Sequence, residues 1–218
     1  MPATKDTTPP VTATVPPASG IRDNHHRGSV AEFLRAKIRD GSDLSVVSAY
    51  FTIYAWDAFQ LELSRIDHMR FLFGEPRFIR RLDPDRTDKK SFKIEDEGLQ
   101  LANRLEQKRV ARECAQWLSE KAEIRSVSQT CLLHGKMYHI SHHGIDDAIL
   151  GSSNFTVRGL GLGAANNNIE LNLEVDSNRD RRDLKDWFEE IWNNPELVED
   201  VKQEVLGYLE QLDRKSVV

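Results

Sequence analysis

Residues 44–50 (LSVVSAY) and 69–73 (MRFLF) are short apolar runs, separated by a segment, 54–65, whose apolar side chains recur at helical spacing. A strand, a helix and a second strand in that order pair the strands in parallel through a right-handed crossover, because a right-twisted strand and a right-handed helix pack back onto the sheet only that way. A long helix-period segment follows at 97–121, and then strand-type runs at 123–128, 132–141 and 147–151, with residues 142–146 turning between the last two. The run 169–175 alternates apolar Ile169, Leu171, Leu173 and Val175 with polar Glu170, Asn172 and Glu174, which predicts one core face and one carboxylate-bearing face. Amphipathic helices are expected at 180–192 and 195–212, with Pro195 in the first turn of the second. Strands interleaved with helices specify an α/β sandwich, a mixed β-sheet covered by helices on both faces.

The 218 residues suffice for one sizeable core. Residues 1–20 are rich in Pro and Thr and nearly devoid of large apolar side chains, so they cannot offset the entropy of ordering and are expected to form a disordered tail. The domain is therefore placed at 21–218, where Ser29 with Glu32 three residues on forms a capping box for a helix over 31–39 that Gly41 ends. The tail has no apolar core of the kind a signal peptide needs, and no run approaches the ~20 apolar residues of a membrane span, so a cytoplasmic protein without membrane association is expected. Cys114 and Cys131, the only cysteines, read as buried thiols and build neither a disulfide framework nor a zinc site. The doublets His25-His26 and His142-His143 have no third ligand at useful spacing, and no metal or cofactor is expected.

The chemistry is concentrated in residues 131–154, CLLHGKMYHISHHGIDDAILGSSN. Two positions apart in an extended chain, His134 and Lys136 share a face at roughly 6.5–7 Å, a nucleophile or proton donor beside a fixed positive charge. That pairing suits phosphate chemistry. A lysine inside an apolar strand is poorly placed without an anionic partner, which is either a phosphate or a structural carboxylate, Glu170 or Glu174. A carboxylate meeting the His134 imidazole would orient it and raise its basicity, and Ser152 and Asn154 offer donors to phosphate oxygens.

In this order and spacing, HGK, GSSNFT and NNNIELN resemble the HxK and GSxN motifs of the phospholipase D superfamily, closest to its nuclease-type members and to the domains at the N-termini of some helicases. The resemblance is dense over 131–175 and extends to 45–74 as the opening strands. It implies that His134 attacks phosphorus to form a phosphohistidine. Lys136 and Asn154 then hold the phosphoryl oxygens, and Glu170 with Ser152 orients His134. The fuller motif carries an aspartate where this chain has Ser141, with Asp146 and Asp147 nearby but out of register. A single HxK implies a homodimer whose second chain supplies the acid histidine.

With a net charge of −5, the chain needs a local basic strip to recruit a polyanion. The densest is 77–93, RFIRRLDPDRTDKKSFK, giving Arg77, Arg80, Arg81, Lys89, Lys90 and Lys93 as candidate contacts to a nucleic-acid backbone, DNA rather than RNA; the alternative is a solvated loop with internal ion pairs. Glycine-rich GLGLG fits no nucleotide-binding pattern. Two functions are thus expected to compete: a metal-independent phosphodiesterase acting on nucleic acid, alone or with a helicase or ATPase as partner or fused domain in a defence system, and a non-catalytic module that binds nucleic acid or such an ATPase. A lipid phosphodiesterase is disfavoured by the single motif and by the lack of a membrane-seeking segment.

Overall fold

The computed structural model describes residues 20–74, 101–128, 132–164 and 166–214. The proposed tail up to residue 19, the basic segment 77–93 with its six candidate contacts, and Cys131 lie outside the described residues.

The chain opens on a two-residue strand β1 (Ile21–Arg22) and helix α1 (Val30–Lys37), whose cap Ser29 accepts from the Glu32 backbone while the Glu32 side chain returns to the Ser29 backbone. Strand β2 (Ser42–Ser48) leads through α2 (Ile53–Ala58) and α3 (Gln60–Ser64) to β3 (Ile66–Phe73). The helix expected over 54–65 is two short helices, broken at Phe59, which is itself buried. The β2–β3 pair is parallel, as the crossover requires. Helix α4 (Leu101–Lys121) returns the chain to β4 (Ala122–Val127), parallel to β3.

Strands β5 (Lys136–His142) and β6 (Ile145–Gly151) form an antiparallel hairpin closed by His143 and Gly144, both at positive φ, the two-residue turn that matches strand twist. The one-turn helix α5 (Val157–Leu160) precedes β7 (Asn172–Val175) and α6 (Asn178–Trp192). The last elements are β8 (Val198–Asp200) and α7 (Lys202–Arg214). Pro195 is therefore ahead of a short strand and not in the first turn of a helix, because residues 198–200 pair with β4 before the chain turns helical.

The sheet order is β1-β7-β6-β5-β2-β3-β4-β8, mixed in direction. One face packs the larger core, where Leu44, Val46, Phe71, Tyr138 and Ile149 meet α1, α2, α4 and α7 residues such as Leu34, Trp56, Leu118 and Leu209. Cys114 is buried there, as expected. The other face packs Val47, Leu72, Val127 and Met137 under Phe188 and Trp192 of α6. Arg70 stacks over Phe188 and Arg125 over Trp192, so two strand cations hold the helix by their ring faces.

The expected core face of 169–175 is corrected. Ile169, Leu171 and Leu173 are 77%, 68% and 52% exposed, whereas Asn172, on the supposed polar face, is buried. Helix α6 begins at Asn178, just past the end of β7 at Val175, and its far end, with Phe188 and Trp192, packs over β3 and β4, so among the described residues the start of β7 is left exposed.

Candidate active site

Register places the motif residues at one end of the sheet. Lys136 opens β5 opposite Gly151, the last residue of β6, and Gly151 stands opposite Asn172, the first residue of β7. The residues just before Lys136, just after Gly151 and just before Asn172 therefore converge on the same edge, where β2 and β3 also end: Val47 pairs with Met137, and Phe73 with Ser48. The sheet gathers His134, Lys136, Ser152, Asn154 and Glu170 here.

His134 lies ahead of β5 and is exposed; the strand expected over 132–141 begins only at Lys136. Its segment is fixed by Leu133, whose N–H donates to the Gly74 carbonyl at 2.9 Å, tying it to the end of β3. Lys136 is 8% exposed, the first residue of its strand and not a mid-strand residue, and its ammonium donates to the His134 carbonyl at 2.9 Å. Of the two carboxylates weighed as its partner, Glu174 instead pairs with Arg22 at 2.5 Å. The lysine head is thus anchored to the His134 backbone.

Asn154 is held by its oxygen. The Ala49 N–H donates to Oδ1 at 3.0 Å, with Ser48 Oγ at 3.2 Å, so the end of β2 fixes the carboxamide and leaves Nδ2 as a donor with no partner among the described residues. Ser152 donates to Glu170 Oε2 and accepts from the Leu171 N–H at 3.1 Å, while Asn168 donates to Glu170 Oε1 at 3.1 Å. The Glu170 carboxylate is therefore engaged with Ser152 and Asn168, while its N–H donates to the Asp23 carbonyl at 3.0 Å. Its charge, second to burial, holds the Tyr138 phenol well above the usual tyrosine range, so that hydroxyl stays a donor.

Ser141, where the fuller motif has aspartate, is at the far end of β5, five residues and about 16 Å along the strand from Lys136. Asp146 is its cross-strand partner and accepts from Ser141 Oγ, with Lys185 Nζ at 3.2 Å from that hydroxyl. The tight turn at His143 and Gly144 thus folds Asp146, which is displaced in sequence from the motif position, back across the hairpin to Ser141. The substitution thus falls away from the end of the sheet that carries Lys136.

Sequence reasoning missed Ser48, Ala49 and Gly74, which position Asn154 and the His134 segment. Their only sequence signal is their place at the ends of β2 and β3.

A family model described as cardiolipin synthase, PLD-like domain, matches residues 82–192, half of the chain. The chain belongs to this PLD-like family. No curated protein matches the sequence. Among solved structures, a phosphatidylserine synthase from Haemophilus influenzae Rd KW20 is similar at TM-score 0.48 and 11% identity, over 89% of this chain and 43% of its own. A polyphosphate kinase from Porphyromonas gingivalis is similar at TM-score 0.46 and 11% identity, over 86% of this chain and 26% of its own. The PLD-like chain thus spans less than half the length of either.

Proposed function

We propose that this PLD-like domain is a phosphodiesterase acting on nucleic acid, with a site completed by a second copy of the chain. The observation that carries the reading is the convergence of exposed His134, the anchored ammonium of Lys136 and Asn154, held by its Oδ1, on one sheet edge. The imidazole nitrogen attacks phosphorus, and the bond to the leaving oxygen breaks as the P–N bond forms. The leaving oxygen takes a proton from the partner subunit's His134. That imidazole, now neutral, takes a proton from water, whose oxygen displaces the phosphoryl group from nitrogen. Lys136 and Asn154 offset charge on the phosphoryl oxygens, and Glu170 aligns the Ser152 hydroxyl beside them.

Nucleic acid is the proposed substrate because the basic strip with Arg77, Arg80, Arg81, Lys89, Lys90 and Lys93 offers phosphate contacts on an otherwise acidic chain. A helicase or other ATPase is the proposed partner on the strength of the motif resemblance.

The test is hydrolysis of bis(p-nitrophenyl) phosphate and of labelled single- and double-stranded DNA in EDTA, with His134→Ala and Lys136→Ala alongside. Cleavage in EDTA that falls at least 10³-fold in both variants is expected, the order seen when one group of a catalytic unit is removed. A binding-only domain would retain DNA without turnover, and turnover in His134→Ala at the parent rate would remove this mechanism.

A further inference from the structure

The turn that presents Ser152 and Asn154 is gripped from beneath by Asn172, two residues after Glu170. Ser153, between them, is fully buried, and its polar groups are bonded inward. Its N–H donates to Asn172 Oδ1 at 3.3 Å, its Oγ accepts from Asn172 Nδ2 at 2.9 Å, and its carbonyl accepts from the Tyr138 hydroxyl at 2.9 Å. Asn172 Nδ2 also reaches the Arg22 carbonyl at 3.2 Å, tying the turn to β1. Gly151 leaves the space this grip needs: a Cβ there would lie 2.5 Å from Asn172 Oδ1.

We propose that Asn172 is a positioning residue of the phosphate site, acting through Ser153 to set the direction of Ser152 and Asn154. The inference deepens the phosphodiesterase reading. Buried at 2% exposure, Asn172 has its carboxamide spent on Ser153 and Arg22, so it has no part in the chemistry itself. With Ser153 pinned at its N–H, hydroxyl and carbonyl, the directions of its two neighbours in sequence are set. Ser152 turns to Glu170 and the open edge, and Asn154 to the end of β2. Tyr138 shares the task through the Ser153 carbonyl.

The experiment reads the Asn154 side-chain amide by NMR, its resonance pair assigned as the one missing in Asn154→Ala, in the parent, Asn172→Ala, Tyr138→Phe and Ser153→Ala. Displacement of that pair in the last three, in proteins that still melt cooperatively, is the expected result; an unmoved pair overturns the proposal, whether or not the protein is an enzyme. Tyr138→Phe and Ser153→Ala carry the test if Asn172→Ala does not fold. The second readout is the cycle of Asn172→Ala with Asn154→Ala on bis(p-nitrophenyl) phosphate. Asn172→Ala alone is expected to lower kcat about 30-fold with KM changed less than threefold, and to cost less than threefold further in the Asn154→Ala background. Multiplicative losses overturn the action through Asn154. An inactive parent refutes the phosphodiesterase reading and leaves the NMR result to decide the positioning role.

Discussion

At the scale of single residues, the site depends on places where backbone passes too close for a side chain. A Cβ on Gly74 would fall 2.0 Å from the Leu133 carbonyl oxygen, and one on Gly151 2.2 Å from the Leu171 oxygen and 2.6 Å from Asn172 Cα. These contacts are with backbone, so the main chain itself must move. Each glycine to alanine change is expected to cost about 1–3 kcal/mol, the usual penalty for overpacking, read as a lowered urea midpoint at constant m. Gly74→Ala pushes on the carbonyl one residue before His134 and should lower turnover in the surviving folded protein; Gly41→Ala, where a Cβ meets nothing closer than 3.6 Å, is the control that loses stability through its positive φ without touching the site. Equal turnover in folded Gly74→Ala and parent would show that the Leu133 contact does not position His134. The candidate residues at the sheet edge were legible as motifs because they cluster in sequence. Gly74, Ser48 and Ala49 were not, since their roles arise from pairings far apart in the chain.

At the scale of elements, the β5–β6 hairpin and α6 enclose a polar cluster within an otherwise apolar layer. His139 is buried, its Nε2 is 3.8 Å from Asp146 Oδ1, beyond hydrogen-bond reach, and that nitrogen has no partner among the described residues. Burial pushes its pKa below the ordinary 6.5. Asp146 on β6 and the backbone of Arg181 on α6 work against that shift, while Lys185 on α6 and Arg70 on β3 add to it. A depressed folded-state pKa means that, as pH falls below 6.5, the unfolded chain takes up a proton that the folded chain refuses. Stability is therefore lost on acidification through that window, by at most about 1.4 kcal/mol per pH unit for one proton. The melting temperature should fall between pH 7 and pH 5, and His139→Gln should flatten that fall. An unchanged slope in the variant would mean that His139 titrates alike in both states. Sequence periodicity predicted β2, β3, α4, β5, β6 and α6 to within a few residues, because each has a helix or sheet layer to pack against. It failed at β7, where an alternating run was read as half core although no helix among the described residues covers its first residues. It also failed at Pro195, where three residues paired with β4 before α7 began.

At the scale of the whole molecule, the exposed start of β7 lies at the edge that carries the candidate residues. Leu150 stands opposite Leu173, and the Ser152 N–H donates to the Leu171 carbonyl, so exposed Leu150, Leu171 and Leu173 form a ridge that runs into the site. Among the described residues, no helix is long and apolar enough to cross a membrane. A contiguous apolar ridge favours a protein contact, and the partner proposed for it is a second copy of this chain. The reason is chemical: cleavage through a phosphohistidine needs an acid opposite His134, and isologous pairing across a two-fold axis beside the site supplies the same histidine from the other copy. Sedimentation should then show a dimer at micromolar concentration. Leu171→Glu with Leu173→Glu should give a monomer that still melts cooperatively, since both side chains are exposed, and that has lost turnover although His134, Lys136 and Asn154 remain. Mixing the His134→Ala variant with parent should form heterodimers that carry one histidine and are inactive. If the parent sediments as a monomer and its specific activity survives dilution, one chain suffices, and the acid must be sought among its own residues.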